Sequence, residues 1–161
     1  MDTSELEAAY RSVLELAERV AGPASPPAVA DDQAWRPDDV LAHLILNDRL
    51  LARAVRSVLE GGAQSYDNVD AVELAELRAL GERLGGTAGL IGELEASSRE
   101  LLDLAGRLDE AQAAAPLPVR ILDGDELRVD RPLPVASLLA IQARLHLPMH
   151  EDQLSELSGP R

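Results

Sequence analysis

Apolar residues recur at helical spacing from the start of the chain. Leu6, Tyr10, Val13, Leu14, Ala17 and Val20 share one stripe, with Ser4 as N-cap and Gly22-Pro23 as a stop, which predicts a first helix over residues 4 to 21. From Gly22 to Arg36 the chain is rich in Pro, Ala and Asp and reads as a connecting loop ending at Trp35, the single tryptophan, expected to anchor the loop onto the core. Pro37 at a first helical position, with Asp38 and Asp39 complementing the helix dipole, opens a second helix that runs to about Glu60. Val40, Leu44, Leu51, Val55 and Val58 centre one face of it and Arg49, Arg53 and Arg56 lie opposite, while His43 and Asn47 fall inside the apolar arc.

After Gly61-Gly62, a polar loop with Tyr66, Asp67 and Asn68 leads into a shorter helical pattern, Val72, Leu74, Leu77 and Leu80, broken at Gly85-Gly86. A longer helix follows on Leu90, Ile91, Leu94, Leu101, Leu102, Leu104 and Leu108 and is expected to reach Asp109, with Gly89 and Gly92 weakening its first turns. Pro116 and Pro118 close a linker. Val119, Ile121, Leu127 and Val129 then flank Asp123-Gly124-Asp125, which predicts a small β-hairpin. Pro132 and Pro134 introduce a last helix carrying Leu138, Leu139, Ile141, Gln142, Leu145, His146, Met149 and Leu154. The expected fold class is therefore all-α with a small hairpin before the last helix.

Composition narrows the picture. With 161 residues, 46% of them hydrophobic, the chain fits one domain spanning 1–161 with a core of useful size. Aromatics make up only 2% and Phe is absent, so the core must come from Leu, Ala, Val and Ile, which favours helices. All 15 basic residues are arginine, they form no basic stripe, and the formal charge of -14 repels phosphate backbones and anionic lipid; neither nucleic acid nor membrane is an expected partner. Cysteine is absent, so any thiol chemistry must come from a bound small molecule. No leader-like or membrane-spanning run stands out, which makes a cytoplasmic location the expectation.

The chemistry-bearing residues are the three histidines. His146 and His150 lie one helical turn apart in an H-x3-H-x2-Q stretch ending at Gln153, and His43 lies about a hundred residues earlier on the apolar arc of the second helix. Two imidazoles on one helix face plus a third brought in by the fold suit a transition metal with open coordination positions. The plainer reading is three hydrogen-bonded core histidines. Pro148 falls between His146 and His150, and by removing a donor and pushing Leu147 out of α geometry it predicts a kink between them. Asn47 and Gln153 are candidates to orient a bound group or a ligand from behind, and Asp48 and Glu151 are carboxylates near the histidines that are candidates for general base or extra ligand. The glycines at 85, 86, 89 and 92 lack the strand-glycine-helix context of a phosphate loop, and no Ser, His and Asp arrangement points to acyl transfer.

Two segments carry a resemblance to a known family. Trp35-Arg36-Pro37-Asp38-Asp39-Val40-Leu41-Ala42-His43-Leu44 resembles the W-x-x-x-D-V-L-x-H-L segment of the DinB/YfiT-like superfamily, and His146 to Gln153 resembles its terminal H-x3-H-x2-Q motif. That superfamily includes small-thiol transferases and mycothiol-dependent maleylpyruvate isomerases. The resemblance implies a four-helix bundle with a long crossover, one divalent metal, commonly zinc or nickel, at the positions of His43, His146 and His150, and often a homodimer. It also implies a low-molecular-weight thiol such as mycothiol as cosubstrate and a small-molecule substrate for those members that are enzymes. Three readings stand open: a metal-dependent thiol S-transferase or isomerase, a non-catalytic metal-binding bundle, and a metal-free helical interaction module.

Overall fold

The structure, a computed structural model, describes residues 1–21, 34–62, 65–123 and 126–158. The chain is mostly helical with one small sheet. Helix α1 (Ser4–Val20) buries Leu6, Tyr10, Val13 and Ala17, the stripe its spacing predicts. Helix α2 (Pro37–Leu59) is buried almost all round its first three turns: Val40, Leu41, Ala42, His43, Leu44, Ile45 and Asn47 are all shielded from solvent. A helix buried all round lies at the centre of a fold, and α2 packs against α4 (Thr87–Gly106), α3 (Leu74–Leu84) and the C-terminal helix α7 (Leu147–Leu157), with α1 against α7 and α4. Gly85, at φ 79°, ends α3 in a left-handed conformation that glycine adopts without cost, and Gly89 allows the start of α4 to pass α3, since a Cβ there would lie 1.7 Å from the Leu84 carbonyl oxygen.

Several boundaries differ from the sequence reading. The long helix α4 stops at Gly106 rather than Asp109, and the linker beyond it holds a short helix, α5 (Glu110–Ala114), capped reciprocally by Asp109 and Gln112. The loop with Tyr66 and Asp67 is a strand, β1 (Tyr66–Asp67), pairing in parallel with β2 (Pro116–Asp123); β2 pairs antiparallel with β3 (Glu126–Pro134), so the hairpin becomes a three-stranded sheet. Pro132 and Pro134 belong to β3, an edge strand, where a missing donor is tolerated. The Gly22-Pro23 stop, the remainder of the connecting loop up to residue 33, and Gly124 and Asp125 of the hairpin turn lie outside the described residues.

The last helical rod consists of α6 (Val135–Ile141), a π-helical turn (Gln142–His146) and α7. The interruption expected between His146 and His150 lies before them instead. Leu147 keeps α geometry at φ -62° and ψ -47°, and Pro148 sits in the first turn of α7, where its missing N–H costs least.

Candidate metal centre

Helix α2 delivers His43. Its N-terminus is fixed by the Asp39 carboxylate, which accepts from the Arg36 N–H at 2.9 Å, and by Asp38, which accepts from the Thr87 hydroxyl at 2.7 Å. His43 Nδ1–H donates to the Ala71 carbonyl at 2.6 Å, which puts the lone pair on Nε2, where it accepts from His146 Nε2–H. That carbonyl is placed by a 3₁₀ turn (Val69–Ala71), which a side-chain staple ties to the sheet: Asn68 Nδ2 donates to the Leu122 carbonyl at 2.8 Å and Asn68 Oδ1 accepts from the Leu122 N–H at 2.7 Å. The staple continues the β1–β2 pairing past Asp67, on the edge of β2 opposite β3.

The C-terminal rod delivers His146 and His150. His43 Nε2 and His146 Nε2 are 2.9 Å apart, and the His150 ring lies 4.6 Å from that of His43 and 4.5 Å from that of His146, centroid to centroid. His150 Nδ1–H donates to Gln153 Oε1 at 2.8 Å, so its lone pair is on Nε2 as well. One ligand atom from each of the three rings lies within 4.8 Å of the other two, and among the described residues no other group of three or more His, Asp or Glu converges this way. Trp35 packs on the cluster, its ring 5.2 Å from His43 and nearly parallel to His150 at 6.2 Å.

Electrostatics favour neutral rings. Burial pushes His43 down to about 3, reinforced by His150 and opposed by the bond to Ala71. Burial with His43 and His150 as neighbours takes His146 well below the usual histidine range, and burial lowers His150 against the opposing pull of Gln153 and Asp123. All three are therefore lone-pair donors at neutral pH, the state a metal requires. His146 Nδ1 is buried without a hydrogen-bond partner, and since His43 Nε2 can only accept at 2.9 Å, the His146 ring carries its proton on Nε2; a metal held at that nitrogen would require the proton to move to Nδ1.

The remaining sequence candidates face elsewhere. Asn47 Nδ2 donates to Gln142 Oε1 at 2.9 Å and its Oδ1 accepts from the Tyr66 hydroxyl. Asp48 is fully buried, accepting from the Tyr10 hydroxyl, from Ser97 Oγ at 2.9 Å and from Gln142 Nε2 at 3.3 Å, and burial raises its carboxyl to about 7. Glu151 accepts from Ser12 Oγ at 2.6 Å. Two surface hollows, one of about 340 Å³ beside Tyr66 and Arg120 and one of about 520 Å³ beside Met1 and Leu108, are lined by none of the histidines. No helix among the described residues is long and apolar enough to cross a membrane. Comparison with known family models, curated proteins and solved structures finds no match.

Proposed function

We propose that the protein binds one divalent metal ion, zinc or nickel, through His43, His146 and His150. The observation that carries this reading is the convergence of neutral imidazoles from two separate helices, two of them held from behind by Ala71 and Gln153. Nitrogens about 2.1 Å from one ion stand about 3.0 Å apart at right angles and about 3.4 Å apart at a tetrahedral angle. The 2.9 Å between His43 and His146 suits a facial set that leaves other coordination positions open. Three neutral ligands leave the ion its full charge, so the site would favour an anionic partner.

We further propose a DinB-like bundle acting as a small-thiol S-transferase or isomerase, resting on the Trp35–Leu44 and His146–Gln153 segments and on a chain with no cysteine of its own. A bound divalent ion would supply the Lewis acidity that lowers the pKa of a thiol. The chain's share is to hold three imidazoles neutral, fix two of them from behind and wall one side with the Trp35 indole. A non-catalytic role, in which the ion ties α2 to α7, is favoured by the way Trp35 covers His43 and His150.

Elemental analysis of untagged protein, with a His150→Ala variant beside it, tests the site. About one zinc or nickel per chain, lost in the variant, is expected. Protein that stays metal-free after expression in supplemented medium, and does not bind added zinc or nickel, overturns it. Activity toward electrophiles with small thiols, dependent on the metal, would then separate enzyme from clip.

A further inference from the structure

The last helical rod carries two buried stripes that are out of phase. Val135, Leu138, Leu139 and Gln142 are buried before and at the π turn, and Leu147, His150 and Leu154 after it. In an uninterrupted α-helix the second set would stand roughly 100°, one residue's turn, round from the first. Leu145 and Met149 are nearer the continuation of the first stripe, yet they are exposed, at 65% and 52%. The π turn takes up the offset by holding one extra residue: the Leu147 N–H donates to the Gln142 carbonyl, five residues back rather than four.

We propose that Gln142 and Pro148 are positioning residues for the histidine cluster, holding the rod in the π register that turns His150 toward His43 and leaves Leu145 and Met149 outside. Gln142 begins the turn and its side chain is tied on both ends. Its Oε1 accepts from Asn47 Nδ2, and its Nε2 donates to the Tyr10 hydroxyl at 3.2 Å and to Asp48 Oδ1 at 3.3 Å. The network reaches Tyr66 on β1 and Ser97 on α4, so the first residue of the turn is locked to four other elements. Pro148 works from the other side. It has no N–H to give the Arg144 carbonyl four residues back, and in a regular α-helix its ring would strike that carbonyl, so the wider turn is the form in which the ring fits. Without these two constraints the regular four-residue hydrogen bonds of a continuous α-helix replace the π turn; Leu145 and Met149 then turn inward in place of Leu147 and Leu154, and His150 turns away from His43. Only the metal-affinity part of the following test rests on the proposed metal site.

The test compares the parent, Pro148→Ala, and Pro148→Ala with Gln142→Leu. In metal-free protein, peroxide oxidation of Met149 is measured by mass spectrometry against Met1, the only other methionine, and zinc affinity is measured separately. Expected is rapid Met149 oxidation in the parent, clear protection of Met149 relative to Met1 in the double variant and a smaller effect in Pro148→Ala, with zinc affinity falling about 10- to 100-fold as for loss of ligand orientation. Adding Leu145→Glu to the double variant penalises the α register, so it should restore both Met149 oxidation and zinc binding, which merely losing a packing contact would not do. Folded variants that oxidise Met149 at the parent rate, or a Leu145→Glu addition that restores neither readout, overturn the proposal. Pro148→Ala leaves the buried network intact and keeps the test decisive if the double variant loses its fold. A parent that binds no zinc refutes the metal reading, while the oxidation result still decides the register.

Discussion

Asp48 and the three histidines are buried titratable groups whose pH behaviour has opposite sign. The Asp48 carboxyl is raised from 3.8 to about 7, so its stabilising contribution is fully present below its unfolded value and is lost as pH rises toward and through 7. The Asp48→Asn variant should therefore gain stability relative to the parent across that window, by a few kcal/mol at most. Urea denaturation of both proteins at pH 5, 6, 7 and 8 measures this, and a difference that stays flat with pH would count against it. At Gln153 the expectation concerns affinity rather than folding. Gln153→Ala removes the acceptor on His150 Nδ1 and is expected to weaken zinc binding about 10- to 100-fold while the helical signal is kept, read by competition with a chelating dye. Unchanged affinity would mean that the bond to Gln153 does not orient the ring.

The elements differ in how much of them was legible. Helices α1, α2 and α4 could be read because each presents an apolar stripe several turns long. Strand β1 could not, since two polar-flanked residues, Tyr66 and Asp67, gain their conformation only from β2, some fifty residues on. The π turn was hidden for another reason: Leu138, Ile141, Leu145 and Met149 continue one helical pattern, and nothing in composition says that two of them are turned outward. The histidines were legible as residue types, but the Ala71 carbonyl behind His43 is backbone and leaves no side-chain signal. The links from Gln142 to Tyr10, Asn47 and Asp48 join positions about 95 to 132 residues apart, a separation local reading does not reach. The Asn68 staple gives a prediction at this scale. Asn68→Ala leaves the Leu122 N–H and carbonyl without their partner in a half-buried site and is expected to cost about 1–3 kcal/mol. The loss should appear in chemical denaturation, together with faster amide exchange in β2; a neutral result would show that water replaces the side chain.

For the whole molecule, the histidine cluster joins two helices about a hundred residues apart in the chain. His43 lies on α2 at the centre of the core, and His146 and His150 lie on the last rod, so an ion bound to all three would add a link that the unfolded chain lacks. Surface ion pairs between α2 and α4, such as Arg49–Glu93 at 2.6 Å, are exposed and contribute little by comparison. Zinc at about one hundred times its dissociation constant adds about 2.7 kcal/mol, which for a chain of this size raises Tm by roughly 5–10 °C. The shift should vanish in His150→Ala and on adding a chelator. Its pH dependence follows from the histidines: their folded values lie below the ordinary 6.5, with His43 at about 3, so their contribution to metal-free stability is fully present above 6.5 and is lost as pH drops toward 3. In the unfolded chain protons occupy the rings below 6.5, whereas in the folded chain burial keeps them open to the ion, so the zinc-induced shift should persist well below 6.5 before collapsing. Scanning calorimetry with and without zinc between pH 4.5 and 8 decides the matter. A shift that is the same in His150→Ala would place the bound zinc on the acidic surface and not on the histidines.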